Sequence, residues 1–127
     1  MVRWVKENLN PKGKHVGDCV VRAIAKAAMI SWDDAYSALA VQGYKEKDLP
    51  SANTVWGKYL KSIGFKRYAL PETCPDCYTV EQFCVDHPEG TFVLALQSHV
   101  VAVQDGQYYD SWDSGQEPPI YYWERSE

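Results

Sequence analysis

The dipeptide Asp105-Gly106 lies between H-V-V-A-V-Q on one side and Q-Y-Y-D-S-W on the other, two runs rich in β-branched and aromatic residues. A two-residue type I′ turn needs positive φ at both central positions, and Asp-Gly is one of the few pairs that adopts it without strain. This turn constrains the chain more than any other feature, because it sets a register. With Gln104 facing Gln107, Val101 faces Asp110 and His99 faces Trp112. Side chains alternate between faces along a strand, so His99 and Asp110 share a face as diagonal neighbours, within reach of a carboxylate-to-imidazole hydrogen bond. Asp113, the rival acid, points to the other face.

Before the hairpin the periodicity is helical. Asp18 reads as an N-cap, and Val20, Val21, Ile24, Ala25 and Ala28 recur at helical spacing, which predicts a helix over 19–28 with Cys19 in its first turn. Ser31 to Asp34, S-W-D-D, has the serine and the acidic N3 of a capping box, opening a second helix that Gly43 closes. A third runs within Ser51 to Gly64. F-K-R-Y-A-L is then a short strand, P-E-T-C-P-D-C a loop, and Thr79 with Gln82 a capping box for a short helix reaching about His87. T-F-V-L-A-L, the hairpin and P-I-Y-Y-W-E complete a β-rich end. The expected fold class is α+β, in one domain spanning 1–127. A helical part, about 1–64, packs on the apolar face of an antiparallel β-meander, about 65–127.

At 127 residues, with 46% apolar and 24% charged residues, the chain can bury a core without metal or disulfide staples. It contains no run of about 18 apolar residues, and M-V-R-W-V-K-E-N is neither a signal nor a transit sequence, so a cytoplasmic location and no membrane partner are expected. Cys19, Cys74, Cys77 and Cys84 then read as thiols. The net charge of −4 conceals a division: residues 1–67 carry +6 and residues 68–127 carry −10. Two lobes of opposite sign packed together show this pattern, as does an acidic surface for a basic partner. The acidic half excludes nucleic acid, and the basic half lacks a cationic cluster interleaved with aromatics. Cys74, Cys77, Cys84 and His87 have the ligand types of a structural zinc site, but Cys84 falls in an amphipathic helix whose inner face needs apolar residues. No metal or other cofactor is therefore expected.

The remaining chemistry gathers at Cys19. A thiol in the first turn of a helix meets outward-pointing N–H groups and the positive end of the dipole, where a thiolate forms most readily. It becomes a nucleophile if a histidine takes its proton and an acid holds that histidine's tautomer. Cys19, His99 and Asp110 supply the three types, with Trp112 placed to shield the His–Asp bond from water. The plainer alternatives are a small core cysteine, a histidine satisfied by backbone and a strand-end acid.

G-D-C-V before a helix, S-H-V-V-A-V on a strand and Y-Y-D-S-W-D after a hairpin together resemble the papain-like cysteine peptidase superfamily. D-S-W-D, Asp110 to Asp113, is similar to that superfamily's N-S-W-G stretch, with aspartate in place of the orienting asparagine. The small size and the aspartate before the cysteine resemble the bacteriocin-leader peptidases of double-glycine transporters and small papain-fold proteins of phages and bacteria. The resemblance implies a papain-like fold, catalytic Cys19, His99 and Asp110, a peptide or protein substrate and a thioester intermediate. The superfamily's oxyanion glutamine, six residues before the cysteine, is Gly13 here. The expected donors are therefore the Cys19 backbone N–H with Asn10 or His15. Two other functions fit the same residues: a catalytically retired binding or inhibitor module of a mobile element, and acyl transfer of the transglutaminase kind. The residues leave oligomeric state and substrate open.

Overall fold

A computed structural model describes residues 3–126. The elements follow as β1 (Trp4–Lys6), α1 (Cys19–Ala28), α2 (Trp32–Glu46), α3 (Asn53–Ser62), β2 (Phe65–Ala69), α4 (Val80–Asp86), β3 (Thr91–Ala95), β4 (Val100–Gln104), β5 (Gln107–Asp110) and β6 (Tyr121–Arg125). The fold is α+β.

The helix signals act locally and most act where expected. α1 begins at Cys19 and buries Val20, Ala23, Ile24, Ala25 and Ala27. Ser31 caps α2 by accepting from the Asp34 N–H at 3.0 Å. Gly43 does not end that helix, which continues to Glu46 and closes on Lys47 with φ 58°. The reason is packing: a Cβ on Gly43 would stand 2.8 Å from the Asp48 carbonyl oxygen, so the glycine admits the returning chain. α4 carries the full capping box, with Gln82 N–H donating to Thr79 Oγ1 at 3.2 Å and Thr79 N–H donating to Gln82 Oε1 at 2.9 Å.

The turn at 105–106 has φ 49° at Asp105 and 76° at Gly106, both positive as a type I′ turn requires. Gln104 pairs with Gln107, Val103 with Tyr108 and Ala102 with Tyr109. The sheet is larger than a meander. Its order is β1-β5-β4-β3-β6-β2, with β3, β4 and β5 forming the meander and β6 returning to the far side of β3. β1 joins β5 in parallel, Trp4 beside Tyr108 and Lys6 beside Asp110, so the sheet is mixed and draws one strand from the helical part. Sequence reading misses β1 because three residues, W-V-K, carry too little alternation to register.

Both faces of the central strands are covered. α1, with Leu39, Trp56 and Leu60 from the next two helices, packs on Val93, Ala95, Val100 and Ala102. Val80, Phe83 and Cys84 of α4 pack on Phe92, Leu94, Val101 and Val103. Burial from both sides accounts for the near-continuous apolar runs of β3 and β4. Cys74 and Cys77, expected as thiols, are joined in a disulfide. His87 bonds the Phe83 carbonyl at 2.8 Å and stacks on the Phe83 ring. Among the described residues no group of three or more His, Cys, Asp or Glu could hold a metal ion, and no helix is long and apolar enough to cross a membrane.

Candidate active site

The start of α1 brings Cys19 against the end of the hairpin. His99 closes the β3–β4 connection, where Leu96 N–H donates to its carbonyl at 2.8 Å, and Asp110 is the last residue of β5. His99 Nε2 and Asp110 Oδ2 are 2.5 Å apart. Cys19 and His99 line the same two hollows, which makes the thiol and the imidazole neighbours. The three residues predicted from sequence are thus brought together, acid to base to thiol. The thiol lies between two hollows. One, of about 380 Å³, is walled by Asn8, Lys14, His15 and Trp112; the other, of about 240 Å³, by Ser51, Asn53 and Leu96.

The electrostatics follow from partial burial opposed by specific partners. Burial pushes the Cys19 thiol up, but the neighbouring His99, the Val100 N–H and the charge of Arg22 outweigh it and hold the thiol below its ordinary value. Burial likewise pushes the His99 imidazole down, and the bond to Asp110 with the neighbouring Cys19 overcomes this, raising it to about 9. Asp110, 1% exposed, is held below the usual carboxylate range despite burial by His99, Ser114 and the Ser111 N–H. Its Oδ2 also accepts from Ser114 Oγ at 2.7 Å, and its Oδ1 from Ser111 N–H at 2.8 Å and Arg22 Nη1 at 3.3 Å. A carboxylate so surrounded cannot rotate away from His99.

Other expected site residues are placed differently. Asp18 occupies the N-cap position but makes no side-chain cap bond. Its carboxylate instead accepts from Arg22 Nε at 2.9 Å, Trp32 Nε1 at 3.0 Å and Asn10 Nδ2 at 3.2 Å. Asn10 is therefore committed: its amide donates to Asp18 and its Oδ1 accepts from the Lys12 N–H at 3.0 Å. It does not face the thiol's cleft. Trp112 lies 4.8 Å from the His99 ring, centroid to centroid, and remains 45% exposed, so it covers one flank of the His–Asp pair. Asp113 turns elsewhere and accepts from the Tyr108 hydroxyl. Sequence reading missed Arg22, Trp32 and Ser114. For Arg22 a signal existed, since it stands four residues after Asp18 on one helix face.

The chain matches no protein family, no curated protein and no solved structure among those compared with it.

Proposed function

We propose that this protein is a small papain-like cysteine hydrolase that cleaves a peptide, isopeptide or related amide bond in a peptide or protein substrate. The observation that supports it is the Asp110–His99 hydrogen bond beside the Cys19 thiol, which stands on a helix N-terminus and lines an open cleft together with His99. The thiolate attacks the carbonyl carbon, and the resulting oxyanion is stabilised by first-turn N–H groups that the Asp18 side chain leaves uncapped. The tetrahedral adduct collapses to a thioester as His99 gives its proton to the departing amine. Water, deprotonated by His99, then releases the acid and returns the thiol. The chemistry runs on side chains and needs no cofactor.

A second reading is a retired binding module on the same scaffold. One observation favours it: both asparagine amides on the chain leading into α1 are spent, Asn8 on the Lys14 carbonyl at 3.1 Å and Asn10 on Asp18. Incubating a proteome-derived peptide library with the native protein and with Cys19→Ala, then reading new termini by mass spectrometry, separates the two. Cleavage by the native chain alone supports the hydrolase. No cleavage, with captured peptides instead, favours the module. Adding a primary amine tests acyl transfer, which leaves amide adducts in place of free acids.

A further inference from the structure

Arg22 lies one helical turn beyond Asp18 on α1, and its side chain is 11% exposed. Nε donates to Asp18 Oδ1 at 2.9 Å while Nη1 reaches Asp110 Oδ1 at 3.3 Å. One guanidinium therefore joins the residue just before the thiol to the acid that holds the imidazole. The far side of Asp18 is itself held, by Trp32 of α2 and by Asn10 of the loop leading into α1. Together these residues form a continuous, partly buried network, Asn10 and Trp32 to Asp18 to Arg22 to Asp110 to His99, beside the thiol.

We propose that Arg22 is a positioning residue whose two-pronged bond locks the first turn of α1 to the end of β5 and so sets Cys19 against the Asp110–His99 pair. This deepens the hydrolase reading and rests on it. The geometry favours arginine specifically, because a rigid planar fork can bond two carboxylates at once, whereas an ammonium on a flexible stem serves as a single point charge. The electrostatics point the same way. Asp18 and Asp110 are two buried carboxylates close to the thiol, and unmasked they would oppose a thiolate; Arg22 offsets both. It also occupies Asp110 Oδ1, leaving Oδ2 for His99. The remaining charged or titratable groups at the cleft, Lys14 and His15, sit on its exposed rim and do not bridge the two elements. Asn10, read from sequence as an oxyanion donor, belongs to this network instead.

The test is the pH dependence of Cys19 alkylation by iodoacetamide, resolved by residue in the native protein, Arg22→Met, Arg22→Lys and His99→Ala, with thermal melts of each. In the native protein Cys19 reacts well below pH 7, and His99→Ala abolishes that reactivity. In Arg22→Met the profile moves about one unit to higher pH, slowing alkylation about tenfold on its rising limb. Arg22→Lys recovers only part of the rate, because it engages one carboxylate. A native profile in either Arg22 variant overturns the positioning role and leaves the hydrolase reading intact. Should Arg22→Met fail to fold, Arg22→Lys decides by the same criterion. If Cys19 in the native protein titrates near the ordinary thiol value of about 8.5 and ignores His99→Ala, the hydrolase reading falls and the Arg22 role falls with it.

Discussion

His99 is the residue on which burial and charge pull hardest against each other. Burial alone would discharge the imidazole, yet the hydrogen bond to Asp110 and the contact with Cys19 keep it charged up to about pH 9. The sign of the linkage follows: a group raised in the folded state stabilises fully below its unfolded value, near 6.5, and loses that contribution as pH rises through about 9. Replacing His99 by Gln should therefore destabilise the protein by on the order of 3 kcal/mol at pH 6 and much less at pH 10. Urea unfolding at the two pH values measures it, and an equal loss at both would mean that the imidazole is not held charged by Asp110. Cys19, His99 and Asp110 were readable in the sequence as a candidate group because each has a local marker: a helix start for Cys19 and the two arms of a hairpin for His99 and Asp110. Asp18 stands at the N-cap position as expected, yet its side chain does not cap, for an equally physical reason. An aspartate before a helix looks the same whether it caps the N–H groups or turns to a cation, and here Arg22, Trp32 and Asn10 outcompete the cap.

Among the elements, the β4–β5 hairpin has the most direct bearing on the site, because His99 immediately precedes β4, Asp110 ends β5, and the two side chains bond across its open end. Gly106 adopts φ 76°, and a Cβ there would stand 3.1 Å from Arg3 Nη1 and 3.3 Å from the Cys84 carbonyl oxygen. Gly106→Ala should cost about 1–2 kcal/mol through backbone strain and crowding. A denaturation midpoint lowered at unchanged slope is the expected result; no loss would show that the turn tolerates a side chain and does not pin the register. Helix starts and this turn were legible because caps and positive-φ pairs act across three or four residues. The end of α2 was not, since Gly43 is explained by the approach of Asp48 and Pro50 rather than by the helix itself.

At the scale of the whole molecule the two halves of opposite charge meet at the site, where Arg22 of the basic half bonds Asp110 of the acidic one, and again where Lys26 lies over the Tyr109 ring. β1 completes this join. Tyr108 N–H donates to the Arg3 carbonyl at 2.9 Å, Glu7 N–H donates to the Asp110 carbonyl at 3.0 Å and Trp4 Nε1 donates to that same oxygen at 3.1 Å. Deleting residues 1–6 should lower Tm by on the order of 10 °C, as the loss of several part-buried hydrogen bonds and an edge strand implies. It should also slow Cys19 alkylation below pH 7 by freeing the backbone of Asp110; full reactivity in the truncated chain would refute a supporting role for β1. The α+β class, the helix over 19–28 and the hairpin pairing could be read directly, because steric and hydrogen-bond preferences within a few residues dictate them. The parallel pairing of β1, the engagement of Asn10 by Asp18 and the bond from Arg22 to Asp110 could not. The last joins residues 88 apart in the chain, and which cation meets a buried carboxylate depends on where folding delivers it.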